Sequence, residues 1–285
     1  MKIRCLQTNP GADSGENLRQ LESMLSSLVV QPGIANIAVL PEVFAVMGGD
    51  DLRLKSANNL GEGVFKTLSR WAKDYKHFIV GGTHAEIADA KNKVYNTATV
   101  FTSEGALLDV YRKVHLFNLK DANGNPLYCE SDVFEQGKET SVFSISSANE
   151  TWQCMNIVCY DLRFPEIVRR EISRSGPVDV LFVTAAFTHQ TGKDHWEVLL
   201  RSRAIENQCW VVACNQTGFH SDGRKRNWGH SMVIDPWGQI VGQLGEEVGI
   251  LEASLTKDGI TSARGRLPAL QDKYFNLSPD KSSRQ

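Results

Sequence analysis

The sequence predicts an α/β fold. Short β-rich apolar runs alternate with amphipathic stretches along the whole chain, and turn-forming residues punctuate them. With 285 residues and 41% hydrophobic content, the chain can bury one large core. A single domain over residues 1–277 is therefore expected, followed by a polar, charged, frayed tail at 278–285. No internal repeat of fixed period is present.

The elements follow in order. Ile3 to Gln7 reads as an opening strand, and Leu18, Leu21, Leu25 and Leu28 recur at helical spacing, so a helix over 16–28 follows. The apolar run Ala38 to Phe44 ends as a strand at Pro41, and a single carboxylate, Glu42, comes next. Val64 to Tyr75 is amphipathic and leads into the strand Phe78 to Gly82, whose paired glycines are expected to end it where backbones pass closely. Val94 to Thr102 and Leu107 to Arg112 form a hairpin across Ser103-Glu104-Gly105. Asn118 to Gln136 is rich in turn formers without periodicity, which predicts a long functional or mobile loop.

In the second half, Asn156 to Cys159 reads as a buried strand ending in an elbow, with a helix from Phe164 and Pro165 to about Ser173. Val178 to Thr184 is a strand, His195 to Gln208 the clearest amphipathic helix, and Cys209 to Cys214 the strand after it. Asn215 to Trp228 is polar and glycine-broken and predicts a surface connection near the site mouth. Gly229 to Gly238 reads as strand and turn, with Gln239 to Gln243 and Ile250 to Ala253 as closing strands.

Charge and composition exclude several classes. A net charge of −2 gives no field for nucleic acid, and Arg224-Lys225-Arg226 is expected to be a solvated loop tip. The first residues carry no apolar core of a signal peptide, and no run approaches the roughly 18 apolar residues of a membrane span. Six cysteines without a CxxC pair or metal-type histidine spacing fit a reduced, cytoplasmic protein with no metal site.

Three stretches carry chemistry. Cys159 sits on the elbow at a helix entry, where a helix dipole favours a thiolate and backbone N–H groups point outward. Alone, such a cysteine is more often a small core residue than a nucleophile. Glu42 supplies a carboxylate at a strand end, and Lys113 an ammonium within the strand-like Val110 to Phe117. Together they offer a nucleophile, a proton carrier and an oxyanion stabiliser.

Leu40-Pro41-Glu42, Arg112-Lys113-Val114-His115 and Cys159-Tyr160-Asp161-Leu162-Arg163-Phe164-Pro165-Glu166 stand in that order over nearly the whole chain. This set resembles the signature of the nitrilase, or carbon-nitrogen hydrolase, superfamily. The resemblance implies a four-layer α-β-β-α sandwich, a homodimer or higher homo-oligomer, and catalysis without cofactor on a small-molecule amide and water. It casts Cys159 as nucleophile, Glu42 as general base and acid, and Lys113 with the Tyr160 N–H as oxyanion stabilisers. Glu130, which precedes Phe134 and Gly137, matches an auxiliary glutamate that positions Lys113 or the substrate. Burial is expected to raise the Glu42 pKa toward a useful value.

Family members cleave nitriles, amides, carbamoyl amines and ureido acids, so fold is a weak guide to substrate. The stretches Cys159 to Glu166, His195 to Glu206 and Gly229 to Gly238 are most similar to the branch that cuts deaminated glutathione to 2-oxoglutarate and Cys-Gly. The near alternative is the ω-amidase branch, acting on 2-oxoglutaramate, and a nitrilase or N-carbamoyl amide hydrolase is a further one. Asn118 to Asn123 and Thr188-His189-Gln190 depart from that branch. Arg163 is either an anion partner or a helix-end cation; Phe187, His195 and Trp196 are candidate pocket contacts, although the last two also suit a core or cap role. A competing cysteine hydrolase with a histidine base is left to geometry, since seven histidines are present.

Overall fold

A computed structural model describes residues 1–90, 92–147, 150–220, 223 and 225–273. The proposed tail at 278–285 and Arg224 lie outside the described residues. Apolar runs without alternation, such as Asn36–Val39, Val180–Ala185 and Trp210–Asn215, are buried along their whole length, as strands covered on both faces must be.

The first sheet runs Gly249–Ser254, Lys2–Gln7, Asn36–Val39, Phe78–Ile87, Val94–Phe101 and Leu107–Arg112 in spatial order, with Phe134–Glu135 added beside Val94–Phe101. The second runs Ile240–Gln243, Met232–Ile234, Trp210–Asn215, Val180–Ala185, Glu150–Val158 and Val142–Ser147. Each has a parallel trio at its centre and antiparallel pairing at its flanks. Helices complete the crossovers between parallel strands.

Ile3, Val39, Val80, Phe182, Val212 and Val233 interdigitate between the sheets. The outer face of the first sheet packs Leu6, Ala38 and Ile79 under Leu21 and Leu25 of helix Ser14–Ser26 and Leu68 and Trp71 of helix Gly63–Tyr75. The outer face of the second packs Leu181 and Val211 under Ile167 and Val168 of helix Pro165–Ser175 and Trp196 and Leu200 of helix His189–Asn207. This is the four-layer α-β-β-α sandwich. No helix among the described residues is long and apolar enough to cross a membrane.

Four sequence expectations change. The stretch 118–136 is no long loop: Asn118–Lys120 pairs with Pro126–Cys129 and a 3-10 turn Glu130–Asp132 follows. Its strands are too short and exposed for a period-2 pattern to show. Gly81 and Gly82 do not end their strand, which continues to Ile87 past a bulge. The helix expected at His195 starts at His189, and Gly192 lies inside it because Trp228 packs where a side chain would stand. The connection 215–228 contains the hairpin Thr217–Phe219 with Arg226–Trp228.

Candidate active site

Three parallel strands of the two sheets, Asn36–Val39, Glu150–Val158 and Val180–Ala185, bring the residues that follow them together at their carboxyl ends, the usual place for a ligand in such sheets. Glu42 follows the first, Cys159 the second and Ala186 the third. Lys113 follows the Leu107–Arg112 edge strand. Glu42, Lys113 and Glu130 are each buried to within 5% of full enclosure.

Lys113 Nζ donates to Glu42 Oε1 at 2.9 Å and to both Glu130 oxygens at 3.0 and 2.9 Å. The Glu42 side chain hydrogen-bonds the Cys159 thiol, and its Oε2 accepts the Ala186 N–H at 2.9 Å. The structure thus brings the three sequence-predicted groups, and Glu130 with them, into one cluster.

Cys159 opens the 3-10 turn Cys159–Arg163 with φ of 47°, in the left-handed region that side chains rarely adopt. What holds this bend is Asp161. Its carboxylate accepts from Tyr111 Oη at 2.6 Å, Val158 N at 3.0 Å, His115 N at 3.0 Å and His115 Nδ1 at 2.8 Å. The His115 ring stacks on Phe164 at 3.9 Å. The elbow and the lysine segment are therefore fastened to each other through one buried acid. Tyr160 N–H lies in the first turn of the 3-10 helix, where helical geometry supplies no acceptor.

Electrostatics correct two expectations. Burial pushes the Glu42 carboxyl up, but the Lys113 ammonium, by charge and hydrogen bond, together with Cys159 and the Ala186 N–H, outweighs it and holds the pKa below the ordinary carboxylate value. Burial, and then the Glu42 charge, pushes the Cys159 thiol well up, so the helix entry does not produce a resting thiolate. Burial disfavours the Lys113 ammonium, yet Glu130 and Glu42 lift its pKa well above normal. The resting site is a carboxylate, an ammonium and a thiol.

Sequence reasoning missed Asn96. Its Nδ2 donates to Glu42 Oε1 at 2.9 Å and to Glu130 Oε1 at 3.0 Å, tying both carboxylates from the strand Val94–Phe101. A buried amide in a β-branched strand was the one available signal. Gln216 was missed as well; its Nε2 donates to the Glu42 carbonyl at 2.6 Å.

The candidate substrate contacts separate. Arg163 is half-buried, its guanidinium 5.2 Å from the Phe187 ring centroid and 3.2 Å from His195 Nδ1. Phe187 follows Ala186, whose N–H binds Glu42, and is buried. His195 is exposed beside Arg163. Trp196 is fully buried in the helix-to-sheet core and donates its indole N–H to His230 O at 2.9 Å, so it has no face to offer a substrate. No histidine takes the base's place: His115 is committed to Asp161 and Phe164, and Glu42 is the group on the thiol.

The family model for carbon-nitrogen hydrolases matches residues 2–265. A deaminated glutathione amidase of Synechocystis sp. is 39% identical over 271 residues, covering 95% of this chain and 97% of that one. A 2-oxoglutaramate amidase of Bacillus subtilis is 34% identical over 273 residues, with 95% and 96% covered. The crystal structure of Saccharomyces cerevisiae Nit3, a member of branch 10 of the nitrilase superfamily, superposes with a TM-score of 0.83 at 30% identity, covering 96% of this chain and 97% of that one. With a carboxylate, an ammonium and a thiol meeting at the rim of an α-β-β-α sandwich, and relatives matching end to end, the chain belongs to the carbon-nitrogen hydrolase family of the nitrilase superfamily.

Proposed function

We propose that the chain hydrolyses a small 2-oxo acid amide, deaminated glutathione foremost, to 2-oxoglutarate and Cys-Gly through a thioester on Cys159. The observation that carries this is Glu42, whose carboxylate touches both the Cys159 thiol and the Lys113 ammonium. Because the thiol is protonated and Glu42 ionised at rest, Glu42 takes the proton as sulfur attacks the amide carbonyl. The carbonyl oxygen becomes negative between Lys113 Nζ and the Tyr160 N–H, each such donor lowering the barrier by about 3 kcal/mol. Glu42 then returns the proton to the leaving nitrogen, the C–N bond breaks, and the acyl group remains on sulfur. Water, deprotonated by Glu42, attacks the thioester; the C–S bond breaks and the thiol regains its proton. Glu130 holds Lys113 in place and helps retain that water.

The second reading is ω-amidase action on 2-oxoglutaramate, favoured by the similarity to the Bacillus subtilis enzyme. Arg163 suits the 2-oxo acid carboxylate of either substrate, four residues beyond the nucleophile and lying against Phe187. A homodimer is part of the same proposal. It is supported by Val198 and Ile205, exposed at 65% and 50% on helix His189–Asn207, and by Trp237, 43% exposed in the turn whose Gly238 lies against Ile205. Six free cysteines suit a reducing compartment, the cytoplasm.

The test compares wild type, Cys159→Ala and Glu130→Gln with both 2-oxo acid amides and a simple nitrile. Intact-mass measurement is expected to reveal an acyl adduct only where the thiol is present, forming slowly in Glu130→Gln. Undiminished turnover by Cys159→Ala would end the proposal.

A further inference from the structure

The start of strand Val94–Phe101 lies between the segments that deliver Lys113 and Glu130. Lys113 N donates to Asn96 O at 2.9 Å, Gly137 N to Lys113 O at 2.9 Å, and Val94 N to Val133 O, just past Glu130, at 3.1 Å. Asn96 is therefore fixed by its backbone to the lysine before its side chain makes any contact. That side chain is buried, where an amide without partners is costly. Its Nδ2 reaches Glu42 Oε1 at 2.9 Å and Glu130 Oε1 at 3.0 Å. Both partners are acceptors only, so the amide must face them with its nitrogen.

The two oxygens of Glu42 are thereby made unequal. Oε1 accepts from both Lys113 Nζ and Asn96 Nδ2 at 2.9 Å, whereas Oε2 accepts the Ala186 N–H at 2.9 Å. A carboxylate oxygen offers about two lone-pair directions. Those of Oε1 are taken, and one on Oε2 is left for the Cys159 thiol that bonds this carboxylate. Lys113 and Asn96 also bridge the same two atoms, Glu42 Oε1 and Glu130 Oε1. When Lys113 turns an N–H toward a developing oxyanion, the amide still spans the two acids. Neighbouring carboxylates oppose each other's ionisation, and a neutral donor between them offsets that without adding charge.

We infer that Asn96 is a positioning residue for proton transfer: with Lys113 it fills Glu42 Oε1, so that Oε2 takes the thiol proton, and it keeps Glu42 and Glu130 bridged while Lys113 serves the oxyanion. The inference rests on the reading of Glu42 as the base of Cys159. As the S–H bond breaks, its proton passes to Oε2 and the sulfur pair forms the bond to the carbonyl carbon. The same proton leaves Oε2 for the departing nitrogen as the C–N bond breaks. Asn96 acts on these steps through the two carboxylates.

The experiment records kcat and kcat/KM against pH for wild type, Asn96→Ala and Asn96→Asp, on whichever 2-oxo acid amide the wild type turns over faster. Every variant meets the same substrate, so the substrate's own carboxyl titrations cancel in the comparison. Asn96→Ala is expected to move the acid limb up by about one pH unit, the worth of one hydrogen bond to a charged group. Its kcat on the plateau falls about tenfold, with KM within twofold. Asn96→Asp keeps the shape but sets a third carboxylate against the other two, and moves the limb further up. Thermal unfolding checks that each variant is folded, and the isosteric Asn96→Asp carries the test if Asn96→Ala is not. An acid limb at the wild-type pH in folded Asn96→Asp would overturn the inference, as would a loss in Asn96→Ala confined to KM. A wild-type limb near pH 6 to 7 would instead remove Glu42 as the base, and this inference with it.

Discussion

At Glu42 two opposing effects decide the chemistry. Removing a carboxylate from water favours its neutral form, and a contacting ammonium favours the charged one; here the ammonium prevails. The sign fixes a pH dependence. As pH falls through the lowered Glu42 pKa the base becomes protonated and turnover is lost, so the acid limb of kcat/KM is expected below the ordinary carboxylate value of 4.5. A limb near pH 6 to 7, where an unperturbed imidazole titrates, would point to a histidine base and remove Glu42 from the role. Glu42, Lys113 and Cys159 were legible as residues because each stands in a short motif. Asn96 was not, since its partners are carboxylates at positions 42 and 130, on other elements.

At the scale of elements, the strand end that presents Glu42 depends on a close backbone approach. Gly82 adopts φ of +54°, and a Cβ there would stand 2.0 Å from the Pro41 carbonyl oxygen. Gly82→Ala is therefore expected to cost about 2 kcal/mol or more of stability. By displacing Glu42 it should also lower kcat about a hundredfold, the usual consequence of misplacing a reacting group by an ångström. Denaturant unfolding together with single-substrate kinetics checks both; an alanine tolerated at wild-type stability and rate would refute the account. The glycine pair was readable as a close approach, although not as the middle of a long strand. The elbow after Val158 was also readable, from an apolar run turning polar before a proline. Its fastening by Asp161 to Tyr111 and His115 was not, because those partners come from another element.

Across the whole molecule, two halves of similar plan, each a parallel trio of strands with crossover helices, meet face to face and deliver Glu42 and Lys113 from one sheet and Cys159 and Ala186 from the other. The proposed homodimer would extend this packing logic over the exposed Val198 and Ile205 of helix His189–Asn207. Ile205→Glu is expected to shift a dimer to monomer in light scattering, because burying an unpaired carboxylate is costly; a mutant of unchanged mass would reject that surface. By itself the sequence determined the α/β class, most helices and strands, and which three residues are proposed to react, since apolar period and local motif are properties of neighbouring residues. Only the tertiary structure decided the resting charge states of the site, the tie of Asn96 to Glu42 and Glu130, and the fastening of the elbow by Asp161. Each of those depends on distances between residues far apart in the chain, and no local pattern encodes them.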